Sequence, residues 1–201
     1  MRWTSRACLR PFLPRSTPYP SAACKSILYF AYGSNMLTER LQDRVPSAEP
    51  VTTAHLPGRT LRFHKRSQDG SGKCNLIDAP EESVAVHGVL FQFATDDFSA
   101  LDEAEHRGHG YKRCRVHPQT ADGSVEAFAY VAQPAYVDDA LLPYDWYQAL
   151  VTAGAHQHAL PAAYRQRLET VRTYPDPDQD RCTRYRSLLR TAGFLHLWPE
   201  Q

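Results

Sequence analysis

Ser26-Ile-Leu-Tyr-Phe-Ala-Tyr-Gly-Ser-Asn-Met36 is the stretch whose reading decides the fold. Ile27 to Tyr32 is an unbroken apolar and aromatic run, too short for a typical globular helix and rich in strand formers. It reads as a strand buried on both faces. Gly33 breaks the run. Ser34 and Asn35 are favoured N-cap residues, and Leu37 and Leu41 stand at i, i+4 within Met36 to Asp43, which predicts a helix starting at once. A buried strand, a glycine turn and a helix N-terminus aim free backbone N–H groups at one point, which suits a carboxylate or a developing oxyanion. Such junctions also serve as plain connections, so other residues are needed to make this one a site.

The 201 residues suffice for one domain with a sizeable core and short extensions. Hydrophobic content of 42% and charged content of 22% are ordinary for a soluble globular protein. No stretch approaches the roughly 20 apolar residues of a membrane span. A formal net charge of +1 gives no reason to expect a nucleic-acid or membrane partner, and a cytoplasmic location is expected. The charge is uneven, because residues 1–25 carry Arg2, Arg6, Arg10, Arg15 and Lys25 and no acid. Pro11, Pro14, Pro18 and Pro20 forbid a continuous helix there and no apolar signal core is present, so this segment is expected to be a disordered extension outside the fold, with organellar targeting as the alternative. Cys8, Cys24, Cys74, Cys114 and Cys182 are scattered and odd in number, which fits free thiols in a reducing compartment. His106-x-x-His109 and His156-x-His158 lack the ligands that would complete a metal site, so no metal or other cofactor is expected.

Along the chain, Arg44-Val45-Pro46 ends the first helix, and residues 51–65 read as two short strands around a Pro57-Gly58-Arg59 turn. Gly70-Ser71-Gly72-Lys73 invites a phosphate-loop reading that fails: Ser67 stands where the pattern needs Gly, and Cys74 where it needs Ser or Thr. Residues 66–73 are expected to be a hairpin loop before a strand over Cys74 to Asp78. Ser83 to Phe93 carries apolar residues on both alternating faces and predicts a central strand. Tyr111 to His117 and Val125 to Val131 are two more strands around an Asp122-Gly123 turn. Pro143–His156, Pro161–Val171 and Arg181–Leu189 read as helices, and the end trails off with Trp198 and Pro199. The expected class is α+β, a mixed β-barrel or strongly curved sheet with peripheral helices.

Thr95 to Glu105 (Thr-Asp-Asp-Phe-Ser-Ala-Leu-Asp-Glu-Ala-Glu) predicts a helix capped by Thr95. Phe98, Leu101 and Glu105 share a face at i, i+3 and i+7, so Glu105 extends an apolar stripe, while Glu103 is turned roughly 160° away and should face solvent. A carboxylate so placed either pairs with Arg107 at the helix end, or lies buried near Asp102, where desolvation and like charge suit it to proton transfer.

Tyr32-Gly-Ser-Asn35 behind a hydrophobic strand resembles the signature of the γ-glutamylcyclotransferase family. Leu101-Asp-Glu-Ala-Glu105, followed by His-Arg-Gly-His-Gly-Tyr111, is similar to that family's Leu-Asp-Glu-x-Glu segment ahead of a Gly-x-Tyr strand start. Gly154-Ala155 with Leu160-Pro161 through Tyr164 resembles its late Gly-Ala…Leu-Pro-x-x-Tyr region, so the similarity runs from about Ile27 to Leu168. The resemblance implies a γ-glutamylcyclotransferase-like fold, with Glu105 as catalytic acid/base and a substrate wall of Tyr29, Phe30, Ala31, Tyr32, Gly33 and Ser34. It also implies Tyr144 as a further substrate contact, for which Tyr136 and Tyr147 compete. The implied partner is a small γ-glutamyl compound, converted to 5-oxoproline by attack of its own α-amine on the γ-carbonyl, within glutathione metabolism and without a cofactor.

Asn35 favours the branch of the family acting on γ-glutamyl-amino acids, because the γ-glutamylamine branch resembles Tyr-Gly-Thr-Leu and the glutathione-specific branch Tyr-Gly-Ser-Leu. Two other classes compete. A serine hydrolase would use Ser34, but the second glycine of the nucleophile elbow is missing. A non-catalytic binding module on the same fold would be expected to lack Glu105. The expected division is residues 1–25 as an extension, 26–172 as the catalytic domain and 173–201 as a linker and helix packed on it; odd thiols and exposed aromatics permit a homodimer without showing one.

Overall fold

The computed structural model describes residues 26–198 apart from 80, 82, 83, 106 and 109, so the reading of residues 1–25 lies outside the described residues. The apolar run forms β1 (Ser26–Ala31), and its partners explain its composition. β5 (Ala85–Ala94) pairs antiparallel on one edge, with Tyr29 opposite Phe91, and β9 (Ala127–Ala132) pairs parallel on the other. A strand with neighbours on both edges and cover on both faces has no place for polar side chains. β5 in turn pairs with β2 (Glu49–Pro57), which makes it the central strand that its pattern predicts.

β6 (Tyr111–Val116) and the two-residue strands β7 (Gln119–Thr120) and β8 (Gly123–Ser124) complete a curled, half-barrel sheet of seven strands in the order β6-β9-β1-β5-β2-β7-β8. Gly58 makes the turn after β2 with φ of 66°, but the strands it joins do not pair with each other. β3 (Arg59–Arg66) instead pairs with β4 (Gly72–Asp78) in a separate hairpin, closed by the loop over residues 67–71.

The helices are α1 (Thr38–Gln42), α2 (Phe98–Ala104), α3 (Asp145–Gln157), α4 (Ala162–Glu169) and α5 (Gln179–Thr191). They are not all peripheral. Asp145 to Ala155 of α3 is buried on every face, between the turn after β1 and the helices α4 and α5. Close approach to that turn depends on Gly154, where a Cβ would lie 2.5 Å from Leu37 N and 2.6 Å from Met36 C. The C-terminal segment is anchored too: Tyr185 of α5 stacks on Trp146 with ring centroids 4.0 Å apart, and Trp198 is buried beneath Arg186. The expectation that the chain trails off at Trp198 is thereby corrected, since an indole of that size gains by burial against α5.

The hairpin docks on α3 through Lys73. Its ammonium reaches Asp69 at 2.7 Å and Ser71 at 2.6 Å and lies over the rings of Trp146 and Tyr147 at 4.5 and 4.7 Å. Burial lowers the Lys73 pKa to about 8, against the opposing pull of Asp69.

Two outcomes are expected. Gly154→Ala has backbone, not a flexible side chain, in its way, so it should cost about 1–3 kcal/mol in urea denaturation. Between pH 8 and about 10 the unfolded chain keeps the Lys73 proton that the folded chain releases, so this group's contribution to stability rises with pH. The stability difference between the native chain and Lys73→Met, followed by thermal melting, should therefore shift in favour of the native chain across that window.

Candidate active site

The turn after β1 departs from the predicted capped helix. Ser34 to Met36 forms a single 3₁₀ turn, Leu37 is extended, and α1 starts afresh at Thr38. Neither Ser34 nor Asn35 caps a helix with its side chain, because both side chains are used elsewhere. The Ser34 hydroxyl accepts from Arg40 Nε at 2.9 Å, while the Asn35 amide donates to the Tyr29 hydroxyl at 3.1 Å and to Glu105 at 2.9 Å. The turn's own bonds run from Met36 N to Gly33 O and from Leu37 N to Ser34 O, so the N–H groups of Ser34 and Asn35 stay outside that ladder.

Glu105 arrives from the other end of the sheet. A 3₁₀ turn over Thr95–Asp97 precedes α2, and Thr95 makes no side-chain cap. Leu101 is fully buried, Glu103 is exposed as the helical phase requires, and Glu105 is the residue on which α2 ends, its side chain 15% exposed. Its partner is neither Arg107 nor Asp102, which pair with each other at 3.0 Å. Arg44, just beyond α1, donates to Glu105 Oε1 at 2.7 Å and to Asn35 Oδ1 at 2.9 Å. Oε1 is thus held by Asn35 and Arg44 together, and Oε2 accepts no hydrogen bond among the described residues.

Around Glu105 stands a wall of phenols. The pocket is lined by Tyr29, Tyr32, Gly33, Ser34 and Asn35, and by Cys74 of β4, Tyr111 of β6, Tyr130 of β9 and Tyr147 of α3. Each phenol is fixed: Tyr32 donates to Tyr130 O, Tyr111 to Cys74 O at 2.6 Å, Tyr130 to Asp102 at 2.7 Å, and Tyr147 accepts from Cys74 N at 3.2 Å. Burial raises the pKa of all five and keeps them neutral. The Cys74 thiol is pushed up to about 12 by burial, which makes it a wall atom and not a nucleophile. At Gly33 a Cβ would already stand 3.1 Å from Cys74 Cβ and 3.3 Å from the Tyr147 hydroxyl, so glycine keeps the loop against this wall.

Of the residues expected at the site, Tyr29, Tyr32, Gly33, Ser34 and Glu105 meet at this pocket. Phe30 and Ala31 do not line it and are fully buried in the core. Tyr144 also lies elsewhere. It is extended, ahead of the first helical residue of α3, and its hydroxyl donates to Asp69 O at 3.1 Å, so Tyr147 is the tyrosine of that segment that reaches the pocket. Sequence reasoning missed Arg44, Cys74, Tyr111 and Tyr130 as members of this site. Arg44 stands nine residues after Asn35, a spacing with no periodic signature. The Ser34 hydroxyl is taken up by Arg40, from which it accepts, and no histidine among the described residues lines the pocket.

The network makes its own prediction. Arg44→Met should lower stability by about 1.5–3 kcal/mol, the usual range for a charged hydrogen bond in partly buried surroundings. Because Asn35 and Arg44 share one carboxylate oxygen, the urea-derived cost of the Asn35→Ala/Arg44→Met pair should differ from the sum of the single costs by more than about 0.5 kcal/mol.

Comparison with known proteins places this architecture. A profile described as the AIG2-like family matches residues 85–168. The γ-glutamylcyclotransferase of Homo sapiens is 31% identical over 153 residues, covering 73% of this chain and 79% of the human protein, and that of Bos taurus is 29% identical over the same length. A solved structure titled gamma-glutamyl cyclotransferase superposes with a TM-score of 0.72 at 26% identity, over 81% of this chain and 99% of that one. A Homo sapiens structure described as an uncharacterized protein follows at 0.68 and 29%, over 74% and 89%. With this identity and coverage, and with the paired loop and glutamate already in place, the chain belongs to the γ-glutamylcyclotransferase family.

Proposed function

We propose that this protein is a γ-glutamylcyclotransferase that releases 5-oxoproline from γ-glutamyl-amino acids, with Glu105 as its general acid/base. The observation that carries the reading is the half-occupied carboxylate: Oε1 is clamped by Asn35 and Arg44, while Oε2 accepts no bond among the described residues, in a pocket that the loop after β1 also lines.

The substrate is an amide whose nucleophile is already attached. Glu105 Oε2 takes a proton from the α-ammonium, and the freed amine attacks the γ-carbonyl carbon. The carbonyl oxygen becomes an oxyanion and the attacking nitrogen carries one proton too many. Glu105 returns its proton to the departing nitrogen, and the C–N bond to that nitrogen breaks as the oxyanion collapses. The ring nitrogen gives up its second proton through water to the released amine, which leaves as an ammonium. The products are 5-oxoproline and a free amino acid. Folding the glutamyl chain into a near-attack shape can supply about 7–11 kcal/mol in favourable cases, and the proton transfers a factor on the order of 10²–10⁴. The N–H groups of Ser34 and Asn35 would hold the α-carboxylate or the oxyanion, Gly33 allowing close approach. Tyr29, Tyr32 and Tyr147 would shape the glutamyl slot, and neutral phenols are suited to that because they add no competing charge. As written, no step calls for a cofactor, nucleic acid or membrane, and one copy of the chain carries every group named.

Residues 26–172 would form the catalytic unit. Residues 173–201 would brace α3 through the Tyr185–Trp146 stack and the Trp146 Nε1 bond to Asp176 at 2.6 Å. Cys74, Cys114 and Cys182 are unpaired, which fits work in a reducing cytoplasm.

Glu105→Gln preserves shape, and its amide oxygen can still accept from Arg44 and Asn35. It should fold and bind substrate while 5-oxoproline release from γ-glutamyl-alanine, followed by chromatography, falls at least about 100-fold. Full turnover in this variant would overturn the assignment.

A further inference from the structure

Lys65 is a cation that the reaction as written leaves idle. The β3–β4 register slips by one residue between Arg62 and Lys65, and this bulge turns two consecutive side chains inward, His64 at 6% exposure and Lys65 at 5%. His64 finds Asp139 at 2.6 Å and Asn75 at 3.0 Å. Lys65 has neither a hydrogen bond nor an ion pair from its ammonium among the described residues. Nζ stands 4.6 Å from the centroid of the Tyr111 ring, which is a wall of the pocket, and against Gly110, where a Cβ would come within 2.9 Å of it. Burial lowers the Lys65 pKa, and the nearby charges of Glu105 and Asp69 oppose that shift. An ammonium buried with no carboxylate in ion-pair contact among the described residues is costly to keep charged, and a carboxylate brought by a ligand would offset that cost.

A γ-glutamyl-amino acid carries two carboxylates and one ammonium. The loop N–H groups can take the first carboxylate; the second belongs to the departing amino acid and is absent from a γ-glutamyl-amine. The other cations near the pocket are engaged: Arg44 by Glu105 and Asn35, Arg40 by the Ser34 hydroxyl and the Tyr185 ring, and Lys73 by Asp69.

We infer that Lys65 is the specificity-determining residue of this site, pairing with the carboxylate of the departing amino acid and selecting γ-glutamyl-α-amino acids over γ-glutamyl-amines. The inference rests on the cyclotransferase reading above.

The test compares kcat/KM for 5-oxoproline release from γ-glutamyl-alanine and from γ-glutamyl-alaninamide, which differ only in that carboxylate. The native protein should prefer the acid by about 10- to 100-fold, mostly through KM, the range expected of one charged hydrogen bond. Lys65→Met should reduce the preference to near unity, and Lys65→Arg should retain most of it. Equal use of both compounds by the native protein overturns the role of Lys65 while leaving the reaction standing, and needs no variant to fold. A Lys65→Met protein that loses both activities in proportion, its preference intact, overturns it as well, because that is the signature of a merely structural cation. Release of 5-oxoproline from neither compound by the native protein would instead sink the cyclotransferase reading, and this inference with it.

Discussion

Glu105 Oε1 lies 2.7 Å from Arg44 and 2.9 Å from Asn35, and through that single oxygen the turn after the first strand is locked to the end of a helix 70 residues later. A lone carboxylate at 15% exposure would be expensive to keep charged. Here the guanidinium supplies the charge and the amide bridges the two groups, since Asn35 donates to Glu105 and accepts from Arg44. The constraint works in both directions. It fixes the glutamate with no bond to its second oxygen among the described residues, and it fixes the loop because the Asn35 amide is spent on Tyr29 and Glu105 instead of capping a helix.

The surrounding packing is arranged to hold that geometry. Gly33 and Gly154 let the loop lie between β4 and α3, where any Cβ would meet Cys74 or the Leu37 backbone. Phenols fixed by backbone and carboxylate partners close the pocket without adding charge. The hairpin β3–β4 contributes the wall residue Cys74, and its Lys65 lies over the Tyr111 ring of the same wall with no hydrogen bond or ion pair from its ammonium among the described residues.

Much of this was legible in the chain. The strands β1 and β5, the Gly58 turn and the inward phase of Glu105 relative to Glu103 came from local periodicity and turn chemistry and stand in the structure, and the hairpin loop expected over residues 66–73 is there but shorter, over 67–71. The misreadings share one cause. Ser34 and Asn35 look like caps because cap propensity is local, yet tertiary partners claimed both side chains first. Tyr144 and Tyr147 are close in sequence, but Tyr144 precedes the helix in extended conformation and so does not share the face of Tyr147. Phe30 and Ala31 belong to the same strand as Tyr29 but pack into the core.

The sequence by itself therefore determined the central strands, the order of the two motifs and the direction Glu105 faces relative to its own helix, because a 2.0 or 3.6 residue period reports burial around one axis. Only the tertiary structure decided what stands opposite: Arg44 beside Glu105, Tyr147 in the pocket, and a bulge that turns Lys65 inward. The first two depend on partners 61 and 73 residues away along the chain, Glu105 for Arg44 and Cys74 for Tyr147. No local period encodes that distance. The register of strand pairing and the closeness that two glycines permit settle it in three dimensions.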